Sequence, residues 1–212
     1  MKITEIFSSI QGESTLQGLP CVFVRLSGCN LDCRYCDTRY AREGGAEMTV
    51  DEITGKAEDF GLKFVCITGG EPLAQIETPA LADEFIKRGW TVSIETNGSI
   101  DASALSGSVI RVIDIKCPGS GESGTTFAGN VAHRRPSDEF KFVITDRADF
   151  DYAVAFIKKH DLTDAENLLF SPAYGALDPK DLSAWILKDM PAARLNLQLH
   201  KYIWGGAAPP GC

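Results

Sequence analysis

At 212 residues, with 44% hydrophobic and 24% charged residues, the chain suits one sizeable core and is short for two domains. Its formal net charge of -8, with 21 scattered basic residues, argues against a broad nucleic-acid footprint. No apolar run approaches the roughly 20 residues that cross a bilayer, and Met1 to Ser9 lacks the pattern of a signal peptide, so the expectation is a cytoplasmic protein acting on a small molecule, with neither nucleic acid nor membrane as partner.

Alternation in Ile3, Glu5 and Phe7 predicts a first strand that runs into the polar loop Ser9-Ile10-Gln11-Gly12-Glu13. Cys21 to Ser27 is the next strand, and a cysteine-rich loop, residues 28–38, leaves its C-terminal end. Thr49 to Glu52 has the form of a capping box at a helix start. Lys63 to Thr68 is a short apolar strand running into Gly69-Gly70-Glu71-Pro72, and a helix from Thr78, read as its N-cap, reaches Gly89. Trp90 to Glu95 and Val109 to Ile115 are strands with no clear helix between them. They end in Thr96-Asn97-Gly98 and in Lys116-Cys117-Pro118.

The Gly/Ser-rich stretch Gly119 to Gly129 reads as a mobile loop, and Glu139 to Ile144 returns to strand. Phe150, Ala153, Val154 and Ile157 fall at helical spacing. Asn167 to Ser171 is a strand, Asp178-Pro179 opens a helix, and Arg194 to Leu199 is the last strand. Strands alternating with helices argue for a parallel sheet with right-handed crossovers. Each unusual motif follows a strand, which gathers them all at the C-terminal edge, where barrel enzymes build their sites. Because a full eightfold barrel takes roughly 250 residues, the expected fold is an α/β, incomplete TIM-like barrel of about six mostly parallel strands with few helices, forming a single domain over residues 1–212.

Cys29, Cys33 and Cys36 lie within eight residues at C-x3-C-x2-C spacing, which turns three thiolates towards one point. Three cysteine ligands on a 4Fe-4S cluster leave one iron open for a ligand that is not protein. A structural zinc site usually closes with four ligands, and here the nearest histidine is His133. Zinc and simple packing nevertheless stand as alternatives. Cys21, Cys66 and Cys117 sit singly in or beside apolar runs and read as small buried hydrophobes, with no disulfide framework expected.

The cysteine loop followed by Gly69-Gly70-Glu71-Pro72 resembles the radical S-adenosylmethionine (SAM) superfamily, in which SAM occupies the open iron. Adding Ser9 to Glu13, Arg25, Ile67 to Pro72, Glu95 to Gly98 and Gln198-Leu199-His200-Lys201, the resemblance narrows to the 7-carboxy-7-deazaguanine synthase family and runs nearly end to end. That family converts 6-carboxy-5,6,7,8-tetrahydropterin to 7-carboxy-7-deazaguanine with loss of ammonia, towards queuosine, and uses SAM catalytically.

The resemblance implies cluster ligation by Cys29, Cys33 and Cys36, and magnesium on Thr38. It implies SAM contacts from Tyr35, Asp37, Gly69, Gly70, Glu71, Glu95, Asn97, Asp114, Lys116 and Ser171. It implies pterin contacts from Ile10, Gln11, Gly12, Glu13, Arg25, Thr68 and His200, and a substrate-contacting tail over residues 198–212 whose terminal carboxylate caps the pterin site. An external electron donor of flavodoxin or ferredoxin type and a homodimer complete the expectation.

The residue chemistry agrees: Arg25 offers a planar fork for a carboxylate, and Glu13 can accept two hydrogen bonds from a guanidine-like edge. The plainer readings are an ion-paired Arg25, a solvated Glu13, a structural His200 and a disordered tail. A glycyl-radical activating enzyme would share the cluster, and a non-enzymatic iron-sulfur or zinc module is the third possibility.

Overall fold

The computed structural model describes residues 1–163, 165 and 167–205. Residues 206–212, where the terminal carboxylate was expected to cap the pterin site, lie outside the described part. Among the described residues no helix is long and apolar enough to cross a membrane.

A nine-stranded sheet carries the chain. Its parallel series consists of β2 (Pro20–Leu26), β4 (Phe64–Gly69), β5 (Thr91–Thr96), β6 (Ile110–Asp114), β7 (Glu139–Ile144) and β8 (Leu168–Pro172), each hydrogen-bonded to the next. The two-residue β9 (Arg194–Leu195) extends it in parallel. On the other side β1 (Lys2–Ile10) pairs antiparallel with β2, and β3 (Ala46–Glu47) pairs antiparallel with β1. The sheet remains open, as expected of a partial barrel.

Helices cover one face. The predicted capping box starts α1 (Val50–Glu58): the Glu52 N–H donates to the Thr49 hydroxyl at 3.3 Å, and the Thr49 N–H to the Glu52 carboxylate at 2.7 Å. Helix α2 (Thr78–Lys87) begins one residue earlier than expected, with Glu77 at the N-cap. The Thr78 hydroxyl is spent elsewhere, donating to the Pro72 carbonyl at 2.6 Å. Residues 97–109 hold no helix, as expected. A short α3 (Ala128–Ala132) precedes β7, and α4 (Arg147–Lys159) and α5 (Pro179–Asp189) flank β8.

Period-2 alternation divides the parallel strands. Val22, Val24, Leu26, Val65, Ile67, Val92 and Ile94 pack against α1 and α2 as one apolar cluster. Phe140, Phe142, Ile144, Leu168 and Phe170 pack with Phe150 and Ile157 of α4 and with Leu182 and Ile186 of α5 as a second. Phe150 and Phe170 meet edge to face, with ring centroids 5.4 Å apart.

Two stretches depart from the sequence reading. Residues 119–129 are fastened to the cysteine loop: the Ser120 carbonyl accepts from the Arg34 N–H at 2.9 Å and Glu122 from the Asp32 N–H at 2.8 Å. The expected strand Arg194 to Leu199 stops at Leu195 and gives way to α6 (Leu199–Trp204). Side-chain amides end it. Asn196 exchanges two 3.1 Å hydrogen bonds with the backbone of Ser14, and Gln17 Nε2 donates to the Leu197 carbonyl at 2.5 Å. The 11–17 loop is thereby stitched to residues 196–199 across the open side of the sheet.

Candidate functional site

The inner face of the sheet carries polar residues near the C-terminal ends of the strands. Arg25 and Thr68 are register partners on β2 and β4, Glu95 lies on β5, and Asp114 and Lys141 are register partners on β6 and β7. With the flanking loops they line a cavity of about 670 Å³. Six cationic side chains (Arg25, Arg34, Arg39, Lys116, Lys141 and Lys201) face four carboxylates there, in a chain of net charge -8. That local excess favours anionic ligands.

The cysteine loop forms one wall. Cys29, Cys33 and Cys36 are half-buried, unpaired thiols that all line the cavity. Glycines bring the loop and the β4 end together. A Cβ on Gly70 would lie 1.9 Å from the Gly28 carbonyl oxygen and 3.0 Å from Cys29 Cβ. Gly69 has φ 140°, and a Cβ there would meet the Leu26 backbone at 2.2 Å. Asn97 reaches the same loop, donating to Asn30 Oδ1 at 2.9 Å with its Nδ2 4.0 Å from Cys29 Sγ. Thr38 Oγ1 is 3.7 Å from Cys36 Sγ. Asp37 is bonded by Lys201 of α6 at 2.6 Å, and this pairing outweighs burial to hold its carboxyl below the ordinary range.

Tests of fit for the expected cluster and its partner come from this wall. The Tyr35 hydroxyl and Asp114 Oδ1 are buried without a hydrogen-bond partner among the described residues, and both residues line the cavity. A buried donor and a buried acceptor left open call for a polar ligand. Burial, with Asp114 nearby, pushes the Tyr35 hydroxyl well up, so it remains a donor. Among the described residues no three His, Cys, Asp or Glu side chains gather closely enough to hold a single metal ion. The donor set that faces the cavity is soft sulfur, suited to iron-sulfur chemistry.

The opposite wall comes from the two stitched segments. Gly12 lies directly under the His200 imidazole: a Cβ on it would be 2.1 Å from Nδ1, and the Gly12 carbonyl accepts from the Leu199 N–H at 2.8 Å. His200 sits in the first turn of α6, whereas the sequence places it just after the end of a strand. Glu13 accepts from Gln198 Nε2 at 2.8 Å on one oxygen and from the Lys141 ammonium on the other. Burial alone would raise the Glu13 carboxyl, but Lys141, His200 and the two hydrogen bonds outweigh it and hold Glu13 below its ordinary value.

Gln11 Nε2 donates to Glu95 at 3.3 Å, and the Thr68 hydroxyl does so at 3.4 Å. Arg25 bonds Glu5 through Nε at 2.6 Å, which leaves its terminal nitrogens unspent on that pair. Phe7 and Phe23 stack at 5.0 Å beside it, a flat apolar surface in the cavity lining.

Two expected ligand contacts lie elsewhere. The Ser171 hydroxyl is fully buried and donates to the Asn196 carbonyl at 2.7 Å, outside the cavity lining. Glu71 is also fully buried, accepting from the Thr96 hydroxyl at 2.8 Å, the Asn97 N–H at 2.6 Å and the Leu73 N–H at 3.0 Å. It braces the turn, and burial raises its carboxyl despite those bonds. Lys141 also lines the cavity and is not among the residues that the sequence singles out. Its signal is a lysine between Phe140 and Phe142, in a strand whose other charged residue is Glu139.

The family model of the radical SAM superfamily matches residues 23–114. A 7-carboxy-7-deazaguanine synthase of Koribacter versatilis is 42% identical over 219 aligned residues, covering 96% of this chain and 97% of the relative. The Chlorobaculum tepidum protein of that name is 43% identical, covering 96% and 94%. The crystal structure of QueE from Escherichia coli superposes with a TM-score of 0.76 over 94% of both chains at 22% identity, a likeness of fold.

Proposed function

Because the chain belongs to the 7-carboxy-7-deazaguanine synthase family of radical SAM enzymes, we propose that it converts 6-carboxy-5,6,7,8-tetrahydropterin to 7-carboxy-7-deazaguanine with release of ammonia. The observation that carries the reading is that the three thiols of the cysteine loop and the Gln11, Glu13, Arg25, Thr68 and His200 group face each other across one cavity. Membership brings a 4Fe-4S cluster and SAM, which when bound supply a 5'-deoxyadenosyl radical for hydrogen abstraction at C6 of the pterin and are regenerated.

The protein's part is positioning. Cys29, Cys33 and Cys36 hold the cluster. Gly69 and Gly70 let backbone approach the SAM methionine, while Glu95, Asn97, Asp114, Lys116, Tyr35 and Asp37 surround the rest of it. Arg25 takes the substrate carboxylate, Glu13 accepts from the guanidine-like edge, and Gln11, Thr68, His200 and the Ile10–Gly12 backbone fix the ring. Thr38 would supply a hydroxyl to a magnesium ion, which would neutralise the charge of the substrate carboxylate. The same reading makes the chain a single core domain, cytoplasmic and homodimeric, and reduced by a flavodoxin- or ferredoxin-type donor.

The test is anaerobic reconstitution with iron and sulfide, followed by SAM, magnesium, a reductant and 6-carboxytetrahydropterin. The expected product is 7-carboxy-7-deazaguanine without stoichiometric loss of SAM. Uncoupled 5'-deoxyadenosine alone would leave the radical machinery standing and the substrate wrong.

A further inference from the structure

Lys141 projects from the inner face of β7, is 6% exposed, and pairs with two carboxylates, Glu13 of the 11–17 loop and Asp114 of the neighbouring strand. Its ammonium donates to Glu13 on the pterin side and lies 3.6 Å from Asp114 Oδ2 on the SAM side. We propose that Lys141 is a positioning residue for the reaction, a fixed cation that keeps Glu13 ionised and aimed while tying it to Asp114. The proposal rests on the substrate reading above.

The two carboxylates depend on it unequally. Asp114 also has Lys116 at 3.0 Å, so it keeps a cation if Lys141 is removed. Glu13 has Lys141 as its ion-pair partner, and its other bond comes from the neutral Gln198 amide. A buried carboxylate without its cation takes up a proton. Protonated, Glu13 would present a donor where the guanidine-like edge also presents donors.

Lys141 itself remains charged. Burial favours its neutral form, but Glu13, Asp114 and Glu95 outweigh that and hold the ammonium well above its ordinary value. It therefore acts as a charge, not as a proton source. The other titratable groups facing the pair are Lys116 beyond β6, Glu139 on β7 and His200 on α6.

The test uses anaerobically reconstituted, SAM-loaded protein without reductant, with binding of 6-carboxytetrahydropterin followed by calorimetry as pH is varied. K141M is expected to bind on the order of 100-fold more weakly, and to weaken further as pH falls through the raised Glu13 value. Wild type shows no such acid-side loss. K141R, which keeps the charge, recovers most of the affinity. Because Lys141 acts through Glu13, the double variant E13Q/K141M binds no more weakly than E13Q alone.

Infrared titration of the carboxyl groups, with E13Q assigning the band, reads the same effect without any pterin and is expected to show Glu13 titrating at higher pH in K141M. A Glu13 that stays ionised in K141M, or additive losses in the double variant, overturns the proposal. Wild-type protein that fails to bind the pterin overturns the substrate reading instead, and the infrared result still decides the role of Lys141. Should K141M fail to fold, K141R and the double variant carry the comparison.

Discussion

Two glutamates follow glycines at the rim of the sheet, and the structure uses them in opposite ways. Glu71, after Gly69-Gly70, is surrounded by two N–H groups and a hydroxyl, carries no ion pair among the described residues, and has its carboxyl raised by burial. Glu13, after Gly12, is bonded by an ammonium and an amide, lines the cavity, and has its carboxyl held down. Burial is common to both. What separates the two is the kind of partner: backbone donors fix a turn, whereas one buried side-chain cation and one amide leave the Glu13 carboxylate lone pairs to offer into the cavity.

Substitutions should widen that contrast. Glu71→Ala strands three buried donors and is expected to cost about 4 kcal/mol in urea unfolding, given about 1 to 3 kcal/mol for each unsatisfied group and partial relaxation. An unchanged midpoint would deny Glu71 its bracing role. Gly70→Ala forces a Cβ against the Gly28 carbonyl. It should cost about 3 kcal/mol and disturb the cysteine loop, seen as a lower iron and sulfide content after reconstitution.

Glu13→Gln can still accept from Lys141, so its stability loss should be near 1 kcal/mol, while pterin affinity falls on the order of 100-fold. Comparable losses of stability in the Glu13 and Glu71 variants would erase the distinction.

The smallest effect is in pH dependence. A lowered carboxyl contributes stability that is complete above the ordinary glutamate range and disappears as pH falls through its lowered value. A raised one contributes less as pH climbs through its raised value. Relative to wild type, Glu13→Gln should therefore lose least at acid pH and Glu71→Gln least at higher pH. Denaturant titrations at several pH values check the opposed slopes, and slopes of one sign would contradict the assignment.

Much of this was legible where the determinants are local. The capping box at Thr49 and Glu52 spans four residues, and the parallel strands read as short apolar runs ending in polar or glycine-rich turns. The cavity could be anticipated because those turns share one edge. The bonds inside it could not, since Lys141 and Glu13 are 128 residues apart and Asn196 and Ser14 are 182 apart. The same long-range amide bonds end the last strand at Leu195, short of the Leu199 that its pattern predicts. Ser171 lies at the end of a strand and Glu71 just after one, as the other expected SAM contacts do, yet their side chains are taken up by Asn196 and by the 73–97 turn donors.

The stitching of residues 11–17 to 196–199 has a consequence for how the molecule is made. A chain emerging from the ribosome exposes Ser14 of the 11–17 loop 182 residues before the Asn196 it pairs with. Through most of synthesis the loop that carries Gln11, Gly12 and Glu13 has nothing to close against. The cysteine wall, built from residues 28–98 and 114–122, can assemble first. Pairings of such long sequence separation are slow to form, so the side of the cavity that carries Gln11, Gly12 and Glu13 should mature after the cysteine wall.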